Sequence, residues 1–182
     1  MSESVEKRSM VKLPPPWLTL LCLALFGFGE LAGAVLGGLP QPIMAAAQAE
    51  ALTHPNVHGL SGVADIDRTI LEGIGSEVLA RVHTFHLHSH GLALVVFLLS
   101  FIVVNAGFTD RVKRVLTAAL CAGLAYPFGW LTMALAVPVL GKSGAFRLAE
   151  RWFFIPFGGG FLAAVWALIA AYAVYQWRAR RA

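Results

Sequence analysis

The sequence predicts an all-α integral membrane protein, a bundle of four transmembrane helices that forms a single membrane domain over residues 1–182. Three observations predict this fold class. The chain is 58% hydrophobic and only 13% charged, and its mean hydropathy of +0.71 is too high for a soluble domain. Four apolar stretches reach the ~20 residues that a helix needs to cross the hydrocarbon core. Basic residues cluster beside these stretches, where they set orientation, so the net charge of +4 does not indicate nucleic-acid binding.

The four predicted spans end at residues that disfavour the continuation of a membrane helix. They cover about residues 17–39, 82–106, 112–140 and 152–177. Pro40 and Pro42 close the first span, Asn105 and Gly107 close the second, and Gly141 follows the third. An arginine-rich tail ends the fourth span, since charge also disfavours a membrane helix.

The flanking lysines and arginines predict that both termini lie in the cytoplasm, because cytoplasmic flanks carry the excess of these residues. Nine lie on one predicted side of the membrane: Lys7, Arg8, Lys12, Arg111, Lys113, Arg114, Arg178, Arg180 and Arg181. Five lie on the other side: Arg68, Arg81, Lys142, Arg147 and Arg151. We therefore expect a multi-pass protein of a cell inner membrane, with the lipid bilayer as its first partner.

The first span has a competing interpretation as a cleaved signal peptide. Ala47, Gln48 and Ala49 resemble a small-residue cleavage site. The apolar run over residues 17–39 is longer than the ~7–15 residues of a signal core, and three prolines precede it. An uncleaved membrane anchor is therefore the favoured interpretation.

The longest predicted segment outside the membrane is an outer loop at about residues 40–81, which is too long for a simple connection. Ile66, Ile70, Leu71 and Ile74 recur at helical spacing among charged residues. We expect a short amphipathic helix here that lies on the outer surface. Ser76 is expected to cap the start of an extended second helix.

Four of the six histidines stand close together at the outer end of the second span. At ~100° per residue, His83, His86 and His90 share one face of the helix, whereas His88 points nearly the opposite way. The neutral imidazole is the commonest metal-binding side chain near neutral pH. His83, His86 and His90 are therefore the candidate residues for a bound cofactor or metal, and His88 is a candidate for a second site or for the surface.

Three further residues on the same side are candidate ligands. His54 and His58 stand four apart in the outer loop, although Pro55 favours an extended backbone at His54. Glu30 follows Trp17 by ~20 Å of helix and lies in the outer third of the predicted span. An ionisable group at that depth needs a partner inside the bundle, and a histidine is the obvious one. The simpler alternatives are histidines that bond water and headgroups, and a protonated Glu30 bonded to a helix backbone.

Glycines and prolines inside the spans predict close or irregular packing. Gly29, Gly33 and Gly37 form a stripe of small residues that lets two helices approach closely, either within the chain or in a homodimer. Pro127, Pro138 and Pro156, the last followed by three glycines, are predicted to kink or loosen the third and fourth spans.

The stretch from His83 to Ser100, in which a histidine-rich helix end runs into an apolar segment, resembles the haem-ligating helices of haem-copper oxidase subunit I. It is also similar to small, uncharacterised four-helix membrane proteins of bacteria with a comparable histidine helix. The resemblance implies haem b or copper near the outer surface, in a respiratory context. Oxidase ligands come from several helices, but the third and fourth spans here contain no histidine. A second axial ligand would then come from His54, His58 or a second copy of the chain.

The preferred hypothesis is a membrane protein that binds haem or a metal ion and acts in respiratory redox chemistry or metal handling. Histidine ligands suit copper, zinc and iron alike. One alternative is a non-catalytic accessory or assembly subunit, as a homo-oligomer or within a larger respiratory complex. A further alternative is a proton-coupled carrier in which Glu30 and the histidines relay protons. The sequence contains no nucleophile-and-base pattern or nucleotide fingerprint, so it names no reaction.

Overall fold

A computed structural model describes residues 11–181, and this part of the chain is helical without strands. Lys7 and Arg8, which entered the orientation prediction, lie outside the described residues. A 3₁₀ turn, Gly123–Ala125, and a π-helix, Glu150–Gly159, interrupt the α-helices. The α-helices are α1 Pro16–Gly38, α2 Pro40–Leu52, α3 Pro55–His58, α4 Ala64–Asn105, α5 Asp110–Ala122, α6 Phe128–Ala149 and α7 Gly160–Ala179.

Among the described residues, three helical stretches are long and apolar enough to cross a membrane: Pro16–Gly38, Ala64–Asn105 and Asp110–Ala179. This confirms the prediction of an all-α protein whose helices are long and apolar enough to cross a membrane. Irregular geometry lies near two of the three prolines predicted to disturb the spans, with the 3₁₀ turn just before Pro127 and the π-helix around Pro156. Pro138 itself lies inside α6 without a break in the helix.

The third stretch reverses direction at Gly141, the residue predicted to end the third span, so α6 consists of two helical segments that meet at this residue. Its backbone is not helical there, with φ 67° and ψ 170°, a conformation that only glycine adopts readily. Beyond this point the chain returns along the helix that it left. Phe154 contacts Trp130 at 4.8 Å between ring centroids, and Tyr175 contacts Phe108 at 5.9 Å. Residues 110–140 and 142–179 therefore form two antiparallel arms.

We expect Gly141→Ala to lower the free energy of unfolding by ~1–3 kcal/mol, because an L-residue is strained in this conformation. A Cβ atom at Gly141 would also lie 3.3 Å from Val57 Cγ1. Thermal unfolding in detergent measures the effect. Gly159→Ala is the matched control, since Gly159 has helical φ and ψ and a Cβ atom there meets nothing within 4 Å. Equal destabilisation by the two substitutions would contradict the strain at Gly141.

α1 runs antiparallel to the second half of α4. The Lys12 backbone N–H donates to Asn105 Oδ1 at 2.9 Å, and farther along α1 Gly33 lies against His86. The side chains buried between the helices belong to one core: Leu18, Cys22, Leu25, Ala93, Val96 and Val103. Lys12, the turn between α4 and α5, and the last turns of α7 lie at one end of the bundle, which we call the terminal end. We call the opposite end, which contains residues 40–81, the loop end.

The loop end differs from the prediction. The helical periodicity over residues 66–74 belongs to the first part of α4, a single helix of 42 residues, and not to a separate helix on a surface. The prediction that Ser76 caps a helix is wrong, because Ser76 is exposed inside α4. The apolar face of this part of α4 packs against α2 and α6 in a second core: Ala47, Ala51, Ile74, Val78, Ala134, Val137 and Ala145. These contacts hold residues 64–81 in line with the rest of α4.

Asp67 fixes the turn that precedes α4. Its carboxylate accepts hydrogen bonds from the backbone N–H groups of Ser61 and Gly62, each at 2.8 Å, and from the Ser61 hydroxyl at 3.2 Å. These bonds hold the pKa of Asp67 below its usual value, and the bond from the Ser61 backbone N–H has the largest effect. The turn therefore depends on an ionised Asp67.

We expect this turn to loosen in acid. A carboxyl group whose pKa is lower in the folded state stabilises the fold while it is ionised. The stabilisation is complete above the unfolded pKa of ~3.9 and is lost as the pH falls through the lower folded value. Hydrogen exchange at the amides of Ser61 and Gly62 measures the loss. Asp67→Asn should exchange quickly at neutral pH as well, and Asp65→Asn is the control; unchanged protection in Asp67→Asn would contradict the role of the carboxylate.

Candidate functional site

The four histidines of α4 lie on two faces of the helix. His83, His86 and His90 follow one another along one face, with ring centroids 6.3 Å apart for the first two and 4.4 Å apart for the last two. His88 faces α6, where its ring stacks on Trp130 at 5.8 Å between centroids. The predicted separation of His88 from the other three histidines is confirmed.

Two glycines of α1 make room for two of these imidazole rings. A Cβ atom at Gly29 would lie 2.9 Å from His90 Nε2, and one at Gly33 would lie 2.7 Å from His86 Cε1. Nothing lies within 4 Å of a Cβ atom at Gly37. The predicted stripe of small residues therefore serves packing within the chain at its first two positions, and the side chains that it receives are histidines.

His86 is held through its Nδ1 atom, which lies 2.7 Å from the Gly29 carbonyl oxygen. A carbonyl oxygen only accepts hydrogen bonds, so Nδ1 carries the ring proton and donates it. The lone pair of the neutral ring then lies on Nε2, for which the described part of the chain supplies no hydrogen-bond partner. Histidines that bind metals are held in the same way, with one nitrogen bonded to a carbonyl group and the other free.

His90 and Glu30 form the contact that the sequence predicted for a carboxyl group in the first span. His90 Nε2 lies 3.3 Å from Glu30 Oε1. The angles do not suit a hydrogen bond, and the buried Nε2 atom has no other partner among residues 11–181. The side chain of Glu30 is 64% exposed, so it lies at the edge of the helix pair and not inside the bundle. Phe26 packs against the His90 ring at 4.4 Å between centroids.

The two histidines of the predicted outer loop have partners of their own. His54 Nε2 lies 3.4 Å from Glu50 Oε1, and His58 Nε2 lies 2.6 Å from the Pro138 carbonyl oxygen. The turn at Gly141 ends the helix near Pro138 and removes the usual partners of its last carbonyl groups, so His58 satisfies one of them. The structure does not bring these histidines to those of α4. Within the described range, no three His, Cys, Asp or Glu side chains are arranged to hold one metal ion.

An aromatic cluster and a charged cluster also occur near the histidines, and neither was predicted from the sequence. Trp130 Nε1 donates to the Tyr126 hydroxyl at 3.3 Å, and both rings contact His88. Arg81 pairs with Glu77 one turn earlier on α4. The four-residue spacing of Glu77 and Arg81 is a signal that could have revealed this pair. The aromatic contacts depend on how α6 packs against α4, which spacing does not show.

The centre of the candidate site is therefore the contact between α1 and α4, with His86, His90 and Glu30 as its polar groups. His83 is exposed one turn farther toward the loop end.

No protein-family description, curated protein or solved structure matches the chain.

Proposed function

We propose that the chain crosses a cell inner membrane four times, with both termini in the cytoplasm. Two features support this. The turn at Gly141 divides the third helical stretch into arms of residues 110–140 and 142–179, and each arm exceeds the ~30 Å of a hydrocarbon core. The terminal end also carries most of the described basic residues, as a cytoplasmic side does: Lys12, Arg111, Lys113, Arg114, Arg178, Arg180 and Arg181.

We propose further that the protein binds haem b and that His86 Nε2 would bind its iron. The hydrogen bond between His86 Nδ1 and the Gly29 carbonyl oxygen, at 2.7 Å, is the observation that carries this proposal. It orients the ring, assigns the proton to Nδ1 and makes Nε2 a better donor to a metal. Gly33 lies against the same ring, so the imidazole is held between two fixed points of α1.

The set of donor atoms favours haem over a bare metal ion. A zinc site built from protein side chains uses three or four of them, and copper sites use several as well. The described residues contain no group of three such side chains. Haem brings its own four nitrogen ligands and takes only one or two from the protein. A single imidazole with a free Nε2 atom meets that requirement, and a second copy of the chain is the candidate for a second ligand.

A bound haem would supply one-electron redox chemistry, which fits a respiratory role. Glu30, through its contact with His90, would contribute a negative charge beside it. Glu30 Oε1 is 3.3 Å from His90 Nε2, and the His90 ring is 4.4 Å from that of His86 between centroids. A carboxylate so close to an imidazole can balance positive charge that is added at the neighbouring ring.

A proton carrier is the second candidate function, because Glu30, His90, His86 and His83 follow one another toward the loop end. A relay through an imidazole takes up a proton at one ring nitrogen and releases one from the other. Nδ1 of His86 is bonded to a backbone carbonyl group, which interrupts such a relay at its middle member. We therefore rank this function below haem binding. An absence of pH-dependent proton flux in liposomes would dispose of it.

A reduced-minus-oxidised visible spectrum of the detergent-purified protein tests the haem proposal, together with haem extraction and elemental analysis. We expect a b-type signal at one haem per chain, or one per two chains if two copies share it. If the protein contained stoichiometric copper and no haem, the histidines would form a copper site and the haem proposal would be wrong. A colourless protein that takes up neither after reconstitution would remove the proposal and leave an accessory or assembly subunit as the better description.

A further inference from the structure

A second feature of the loop end lies on the face of α4 away from α1. It is an open cavity of about 430 Å³ beside the turn at Gly141. Three basic side chains line it: Arg81, Lys142 and Arg147. Its apolar wall consists of Trp130, Met133 and Phe146. The cavity therefore combines a cationic rim with an apolar wall.

The charges around this cavity do not balance. Glu77 lies beside it, accepts a hydrogen bond from Arg81 Nε at 2.7 Å and stands 3.5 Å from Lys142 Nζ. One carboxylate thus serves two cations. No ion pair joins Arg147 to a carboxylate within residues 11–181. Three positive charges against one negative charge leave an excess of two at neutral pH.

Arg81 is preorganised for an anion. Its side chain is only 20% exposed, and its guanidinium carbon lies 5.4 Å from the Trp130 ring centroid. Glu77 Oε1 accepts from both Nε and Nη2 of Arg81 and fixes the plane of the group. A guanidinium has five N–H donors, so three are left for another acceptor. Arginine held in this way binds phosphate or carboxylate oxygens without losing further side-chain freedom.

We propose that this cavity binds the phosphate of an acidic phospholipid in the leaflet at the loop end. The excess of two positive charges selects an anionic headgroup over a zwitterionic one. The apolar wall continues into helices long enough to cross a membrane, and it offers a surface for the upper part of an acyl chain. Trp130 is a residue type that favours the headgroup level of a bilayer. This site is independent of haem binding, because the histidine contact with α1 lies on the other face of α4.

Native mass spectrometry of the delipidated full-length protein tests the proposal, with phosphatidylglycerol and phosphatidylcholine of the same chain length as probes. We expect phosphatidylglycerol to bind at least ~10-fold more tightly than phosphatidylcholine, because each basic residue near a membrane surface strengthens the binding of anionic lipids. Lys142→Gln combined with Arg147→Gln should remove most of this preference. Both side chains are exposed, so the fold should persist, and Arg147→Gln alone should give part of the effect. Arg68→Gln is the matched control, because Arg68 is an exposed arginine of α4 outside the cavity.

Equal binding of the two lipids would overturn the proposal, as would an unchanged preference in the double variant. Inorganic phosphate distinguishes a lipid from a free anion. We expect millimolar phosphate to compete weakly with phosphatidylglycerol. If phosphate alone bound as tightly as the lipid, the apolar wall would contribute nothing and the lipid would be the wrong ligand.

Discussion

Gly33→Leu is expected to separate α1 from α4 and to lower the free energy of unfolding by ~3 kcal/mol. Even a Cβ atom at this position would lie 2.7 Å from His86 Cε1 and 2.8 Å from His86 Nδ1. The ring has little room to retreat, because Nδ1 is bonded to the Gly29 carbonyl oxygen and His90 packs on its other side. The added side chain must therefore push the two helices apart and break the hydrogen bond of His86. Thermal unfolding in detergent measures the loss.

Gly37→Leu is the matched control for this substitution. Gly37 belongs to the same stripe of α1, one turn beyond Gly33, and nothing lies within 4 Å of a Cβ atom there. Its replacement by leucine should leave stability close to that of the wild type. If both variants lost the same stability, the effect would come from leucine in α1 in general and not from the contact with His86. A second consequence separates the variants, since only Gly33→Leu should also impair haem binding.

His86→Ala is expected to weaken haem binding by more than ~100-fold, because loss of a supporting contact alone typically costs 10–100-fold and this change removes the ligand itself. The fold should survive, since His86 is only half-buried and the Leu18, Val96 and Val103 contacts between α1 and α4 remain. Haem per polypeptide, measured after reconstitution and gel filtration, gives the result. Circular dichroism of the same samples reports whether the helices persist.

His88→Ala is the natural comparison for His86→Ala. His88 stands two residues away in α4 and stacks on Trp130, on the face away from α1. Its removal should leave haem content unchanged. Full haem retention in His86→Ala would show that His86 is not the ligand, and equal loss in the two variants would point to a general weakening of α4.

The features that follow from local rules could be predicted from the sequence. The end of the third span at Gly141 is one of them, because glycine adopts the left-handed φ of 67° found there without strain. The arrangement of His83, His86 and His90 on one face, with His88 on the other, follows from ~100° per residue. The end of α1 before Pro40 also follows from local rules, although a new helix begins at Pro40 itself.

The features that were missed depend on which helix packs against which. The periodicity of residues 66–74 is the same for a helix on a membrane surface and for one packed against α2, so it did not reveal the continuous α4. Ser76 has a residue type suited to a helix cap, but α4 continues past it because Ile74 and Val78 are buried against other helices. His58 binds the Pro138 carbonyl oxygen, which lies 80 positions away and carries no sequence signal.

The glycine stripe and the histidine face were each visible in the sequence, but their relation was not. Small residues predict the close approach of some helix, and histidines predict a polar or ligand-binding face. Only the antiparallel register of α1 and α4 places Gly29 and Gly33 against His90 and His86. A homodimer through the stripe would have to compete with these contacts. The two patterns together form one feature, a pair of imidazole rings seated on the backbone of α1.

The ring nitrogens of His86 provide the most direct test of the central claim that Nε2 is free to bind haem. ¹⁵N NMR spectra of histidine-labelled protein, assigned with His86→Ala, distinguish a protonated ring nitrogen from one with a lone pair. At neutral pH we expect a protonated Nδ1 and an unprotonated Nε2 for His86, and we expect the Nε2 signal to shift or disappear when haem is added. A proton on Nε2 would contradict the claim. So would His86 signals that stay unchanged when haem is added and binds to the protein.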